Sequence, residues 1–255
     1  MNFLSLIGIE TKKIHRSRIL WILLVATVIL WLPSIFNAHL NFEMQAEGIS
    51  PEHNFLIQGF LGMAWFMYPA SMVVSTVLLN QTERSNNGIL KMLALPLGTI
   101  KLCLAKFIVL LFLAAVQILM TVGMYFISAV LVTRTQNYSF LLSPLFVFRE
   151  AALIYLSSIP MLAFFYMLSV CIQTPIFSVG IGLASIVPSV LMINTRAWFL
   201  YPMSYPFYCI TSEYGKLASR LESFNVALVP WLPVAAILTL VCMAAACFRF
   251  GRLKS

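Results

Sequence analysis

Aspartate is absent from this 255-residue chain, and all eight acidic residues are glutamates. Charged residues of both signs make up only 9% of it, against about 25% in soluble globular domains. So little charge excludes an ordinary water-soluble core. The motifs HExxH and GxSxG are missing, no aspartate pair can form, and His15, His39 and His53 all fall outside the apolar blocks. An intramembrane metalloprotease or hydrolase therefore has no residues to work with. GxxxxGK[ST] is missing too, so the chain does not cradle nucleotide phosphates by itself. The five cysteines, Cys103, Cys171, Cys209, Cys242 and Cys247, show no CxxC and no metal-ligand spacing with histidine. Most lie in or beside apolar runs, where cysteine behaves as a small hydrophobe, and no metal site is expected. Ionisable groups are also scarce inside those runs, with Arg149 and Glu150 at the outer edge of the fourth. Ion-coupled carriers keep such groups within the bilayer. An ion gradient is therefore a poor candidate for the energy source.

What the chain does have is apolar length. Hydrophobic residues make up 61% of it, and the mean hydropathy is +0.95. Runs near 20 residues match the thickness of a bilayer's hydrocarbon core. Six are read, over about 18–38, 55–79, 107–133, 150–171, 176–193 and 226–248, which gives an all-α integral membrane protein. The first run is taken as a membrane helix rather than a cleaved signal. It exceeds a typical signal core, and Phe36 stands where a small residue should precede a cut after Ala38. Prolines inside the runs, such as Pro33, Pro69, Pro160, Pro188 and Pro233, are tolerated where neighbouring groups re-satisfy the freed carbonyls.

The formal net charge of +8 comes from cations placed at the ends of the apolar runs. Headgroups and topology demand them there, and no soluble basic domain exists to hold nucleic acid. With both termini inside, the inner segments hold 11 of the 16 Lys and Arg residues. The first outer loop, 39–54, carries glutamates and no cation. N-in and C-in is therefore the orientation.

Residues before the first span read as an amphipathic helix at the inner surface, 1–17, with Phe3, Leu6, Ile7 and Ile14 on one face. Lys12, Lys13, Arg16 and Arg18 stand ready for anionic headgroups. Glu10 falls on the apolar side, in reach of Lys13 three residues on. The polar inner stretch 80–106 is more elaborate. NQTERSNNG turns out of the second span, ILKMLAL makes about two helical turns, and Pro96 with Gly98 stops them. Thr99 is placed to cap the following helix. Ile89, Leu90, Met92 and Leu93 give the short helix an apolar side suited to another protein's groove; lying flat on lipid is the alternative. Within the spans Gln58, Gln117, Ser71 and Thr76 are candidates to line a translocation path. Bonding one helix to another is the commoner use of such residues.

The block AWFMYPASMVVSTVLLNQTERSNNGILKMLALPLGTIKLCLAKF resembles the second-span, cytoplasmic-loop and third-span region of ABC-2 type permeases. It is most similar to small permease subunits of lantibiotic immunity and antimicrobial-peptide export. The opening IGIETKKIHRSRILWILL resembles that family's interfacial helix and first span. The likeness implies one permease domain over 1–255, in the bacterial cell membrane, whose 80–106 loop carries a coupling helix. Glu83, Arg84, Gly88, Ile89, Leu90, Met92, Leu93 and Pro96 would then contact a separate ATPase. That partner, expected in two copies, would use ATP and Mg; this chain would bind no cofactor. It also implies a second permease, identical or paralogous, and an amphiphilic peptide or drug as cargo. Beside export of a lantibiotic-like peptide that confers immunity, the alternatives are another cargo (a drug, ion or lipid) or a non-transporting scaffold or sensor.

The long outer segment 194–225 is crowded with aromatics, among them Trp198, Tyr201, Tyr205 and Tyr208. An interfacial aromatic belt explains such residues in general. Its length suggests interfacial or re-entrant helices before the last span. By resemblance these would gate exit, with Tyr205 and Tyr208 on the path.

Overall fold

A computed structural model of the chain describes residues 3–84, 99–217 and 228–252. Helix α1, Phe3–Arg16, ends where Arg18 takes a left-handed backbone (φ 56°), and the chain turns there into α2, Ile19–Phe36. A 3₁₀ segment over Ala38–Glu47 leads to α3, Pro51–Gly62, a π-helical turn over Met63–Met67, and α4, Tyr68–Arg84. Helix α5, Thr99–Gln136, is the longest. Then come α6, Pro144–Ser157, α7, Ile159–Cys171, α8, Pro175–Ala184, and the short α9, Ser189–Met192. Two 3₁₀ turns, Trp198–Leu200 and Pro202–Ser204, precede α10, Tyr205–Leu217, and α11, Leu228–Arg252, closes the described chain.

Among the described residues six stretches are long and apolar enough to cross a bilayer: Ile19–Phe36, Pro51–Gln81, Thr99–Gln136, Pro144–Cys171, Pro175–Met192 and Val229–Gly251. Three spans begin earlier than their apolar runs suggest. The second and fourth open with a proline, Pro51 and Pro144, at the first helical turn, where its missing N–H and fixed φ suit a helix start. The expectation that His53 lies outside the spans is corrected by that early start, because His53 sits in the first turn of α3. The third begins at Thr99, so Lys101 and Lys106 are both helical. At about 1.5 Å per residue, α5 is much longer than the roughly 30 Å hydrocarbon layer and reaches into both interfaces.

Two interruptions follow from proline chemistry. Pro69 has no N–H to donate, and the backbone just before it is wound as the π turn Met63–Met67. Pro160 similarly follows the break at Ser158 between α6 and α7.

Helix α5 forms the axis of the bundle, packed against α1, α2, α4, α6, α7 and α11. Lipid tails are as apolar as leucine, so close packing and hydrogen bonds must hold membrane helices together. Both devices are visible. A Cβ at Gly59 would lie 2.4 Å from the ring of Trp31, so only glycine lets α3 receive that indole. Trp31 is fully buried, with ring centroids 5.7 Å from Phe55 and 5.9 Å from Tyr125. Ser71 donates to Gln117 Oε1 at 2.7 Å between α4 and α5. Tyr68 and Ser158 pair at 2.9 Å between α4 and the α6–α7 break. Further toward the inner side, Asn80 donates to Ser169 of α7.

Candidate transmission site at the inner end of the third span

The buried stripe of α1 repeats every four residues: Leu6, Glu10, Ile14. Leu6 and Ile14 sit on the apolar face as expected, but that face packs against α5. A surface helix of this period turns its apolar side to whatever excludes water, and here α5 supplies it. Lys12 of α1 and Arg18, at the turn into α2, are exposed, and Lys13 and Arg16 also lie on α1. Glu10 is the acid in the buried stripe. Its Oε2 lies 3.2 Å from Lys106 Nζ, with both side chains 1% exposed. Lys106 in turn belongs to the buried stripe Leu102, Cys103, Lys106, Leu110, Leu113 of α5. A charge in the middle of an apolar stripe is the signal that could have announced this pair, because a buried charge requires a partner.

The same turn of α5 is held from two other sides. Tyr166 of α7 donates its hydroxyl to the Cys103 carbonyl at 3.1 Å. On α11, the Cys247 thiol approaches the Cys103 sulfur at 3.0 Å. Residues 103–106 thus tie α5 to α1, α7 and α11 within about one helical turn. This turn follows closely on the segment 85–98, which connects α4 to α5. Gly88, Ile89, Leu90, Met92, Leu93 and Pro96, the centre of the expected coupling helix, lie outside the described residues. Glu83 and Arg84 are the last residues of α4.

The polar residues read as path candidates separate into groups. Ser71 and Gln117 bond one another in the buried interior. Thr76, also buried, bonds back to the Val73 carbonyl of its own helix. Gln58 is exposed and its Nε2 lies 3.4 Å from Asn54 Oδ1; the Asn54 Nδ2 in turn donates to Asn41 Oδ1 at 2.8 Å. Tyr205 and Tyr208 are far along the chain in an outer aromatic cluster. Trp198 stacks on Tyr208 with centroids 3.8 Å apart, and Trp231 of α11 lies 5.6 Å from Tyr205. The Tyr205 hydroxyl donates to the Phe199 carbonyl. Burial pushes the Tyr205 phenol up to about 12, and raises Tyr201 and Tyr208 in the same direction. All three stay neutral donors at ordinary pH.

Helix α10, in the segment expected to hold interfacial helices, packs against α6 through charge. Arg149 Nη2 is 2.6 Å from Glu150 Oε1 and 3.0 Å from Glu213 Oε1, and Lys216 Nζ is 3.0 Å from Glu213 Oε2. The Arg149 guanidinium also stands 5.1 Å over the Phe146 ring. The sequence places Arg149 and Glu150 at the edge of the fourth run but does not reveal the partner of Arg149 on α10, Glu213, 64 residues away. Nearby, Tyr138 donates to Glu52 at 2.6 Å, and that carboxylate holds the phenol proton and raises its pKa.

In short, one turn of α5 gathers three helices at the inner side, and a charged and aromatic assembly caps the outer side. Against known proteins, the family model described as ABC-2 family transporter protein matches residues 6–189. That range covers α1 through the start of α9, including the whole of the α1–α5 joint. No curated protein and no solved structure matches the chain significantly.

Proposed function

Because the chain belongs to the ABC-2 transporter family, whose members are the membrane components of ATP-binding cassette transporters, we propose that it is an export permease driven through its inner loop. A separate ATPase, present in two copies, hydrolyses MgATP, and its surface groove receives the short helix centred on Ile89–Leu93. Closure of the ATPases around nucleotide pulls on that helix, which is tied directly to α4 and α5. Rigid elements of this kind carry displacement as levers. The observation that carries the reading is the joint at Cys103–Lys106, where α5 is bonded to α1 and α7 just after it leaves the loop. Movement delivered to α5 is thereby shared by several spans instead of being absorbed as bending.

A second permease, identical or paralogous, stands beside this one in the bacterial cell membrane. The cargo is an amphiphilic peptide of the lantibiotic kind, and the consequence of export is immunity to it. The resemblance of residues 65–107 to small immunity permeases supports that cargo. Glu83→Ala, or deletion of 89–93, is expected to leave the protein inserted and to abolish peptide resistance while the partner still hydrolyses ATP. Wild-type resistance in the deletion variant would defeat the coupling role. Resistance unchanged when the whole gene is removed would defeat the cargo.

A further inference from the structure

Cys103 and Cys247 lie 144 residues apart in sequence, on α5 and α11, yet their sulfurs are 3.0 Å apart. Both are free thiols. Tyr166 fixes one of them, donating to the Cys103 carbonyl and reaching within 3.5 Å of its sulfur. The helices are also close at their inner ends, where a Cβ on Gly251 would meet Thr99 Oγ1 at 3.8 Å. Cys103 is fully buried, whereas Cys247 is half-buried and lines an open groove between α5 and α11 of about 690 Å³, together with Ile100, Leu104, Met243 and Phe248. The groove is mostly apolar. Cys247 faces this open groove, and the buried Cys103 lies behind it.

We propose that Cys103 and Cys247 are an oxidisable pair whose disulfide staples α5 to α11 and locks the permease. With a peroxide the chemistry closes in two steps. The Cys247 sulfur takes one oxygen, becoming a sulfenic acid and releasing water; the Cys103 thiol then attacks that sulfur, the S–S bond forms and a second water leaves. The two thiols lose two electrons and two protons in all, and the peroxide is the acceptor. An azodicarboxamide such as diamide takes the same electrons and protons and becomes a hydrazine. A disulfide needs sulfurs about 2.05 Å apart, so closing the pair asks for a movement of about 1 Å. Stapling acts where α5 leaves the inner loop, and its effect on export rests on the permease reading above; formation of the bond does not.

The test uses the full-length protein in membranes, treated with diamide, denatured, and labelled with a polyethylene-glycol maleimide. The reduced chain, with five cysteines, is expected to take five labels, and the oxidised chain three; dithiothreitol should restore the other two. Cys247→Ser should take four before and after oxidation, and Cys171→Ser, which removes an exposed thiol, should still lose two. Five labels on the oxidised wild type, or a loss of two in Cys247→Ser, overturns the pair. In the assembled transporter, diamide should stop wild-type export reversibly, while export by Cys247→Ser, at whatever level, should be indifferent to it. A disulfide that forms without slowing export overturns the lock. Absence of export from reduced wild type would instead count against the permease reading, since the labels judge the pair separately.

Discussion

Glu10 Oε2 lies 3.2 Å from Lys106 Nζ, with both side chains almost wholly withdrawn from the surface. The pair joins the first helix, α1, to the axis of the bundle across 96 residues of sequence. Desolvating two charges is costly, and well-packed apolar residues often serve stability equally well, while losing one partner alone costs about 3–5 kcal/mol. Glu10→Gln is therefore expected to lower the stability of the detergent-solubilised protein by about 3 kcal/mol. The double replacement Glu10→Leu with Lys106→Met should recover most of it. Thermal unfolding of the three forms checks this; a double variant as unstable as the single one would contradict it. If the pair also transmits force, the double variant should be stable and yet export poorly.

The close approach of α2 and α3 gives a second expectation. Gly59→Ala puts a methyl 2.4 Å from the buried Trp31 ring, where the indole is hemmed in by Phe55, Phe60 and Tyr125. Overpacking of this kind costs about 1–3 kcal/mol. Trp31→Leu in the same chain should offset part of that loss, so the two substitutions should couple in a double-mutant cycle. Additive effects would mean the ring yields freely.

The Ser71–Gln117 hydrogen bond joins two long spans in the protein interior. Interhelical bonds of this type average about 0.6 kcal/mol in membrane proteins, so Ser71→Ala should be mild in stability. A translocation role would appear differently. Ser71→Ala and Gln117→Leu would then change export far more than they change the melting temperature. Comparing the two readouts separates packing from path.

The outer cluster has a pH signature. Tyr205 is neutral in the folded state and its folded pKa, about 12, is raised above its ordinary 10.0 by burial. The stabilisation is therefore fully present below pH 10, and is lost as pH rises from there through about 12. Tyrosinate absorbance should lag behind that of the unfolded chain, and loosening of the Trp198–Tyr205–Tyr208 cluster, followed by tryptophan fluorescence, should start only above pH 10. In Tyr205→Phe the hydrogen bond to Phe199 is gone, at a cost of about 1 kcal/mol, and the alkaline step should shrink. Alanine at Tyr205 is a blunter probe of gating, because it also empties a fully buried site.

Helix α10 is held to α6 by Arg149 and Glu213. Arg149 is 56% exposed, so the contact is expected to be worth about 1 kcal/mol or less to global stability. Its loss should instead show locally. In Glu213→Gln the amides of 205–217 should exchange hydrogen faster while the rest of the bundle is unchanged. Equal protection in both proteins would show that packing alone fixes α10.

Much of this architecture was legible in the sequence, because a bilayer imposes constraints that act on short stretches of chain. Length and apolarity set the six spans. Lysine and arginine placement is what the expected orientation rests on. The prolines were read only as tolerated within the spans, and the breaks near Pro69 and Pro160 came from the structure. The amphipathic face of α1 was visible in Leu6 and Ile14, as was the helix start at Thr99. The ABC-2 resemblance, too, was carried by residues close together in the chain.

The tertiary structure alone decided which distant residues meet. Nothing local tells Glu10 to face Lys106, Cys103 to face Cys247, or Arg149 to face Glu213. Each of these pairings depends on how α5 crosses its neighbours and on which face a helix turns inward, and a rotation of one residue, about 100° for 3.6 residues per turn, would break them. Apolar periodicity says that a stripe is buried but not against which helix, since lipid and protein interior are nearly equivalent to a leucine side chain. Spans are properties of single segments and were fixed by composition and order. The joints between segments arise from shape and hydrogen bonding among all of them at once, and they exist only in the packed bundle.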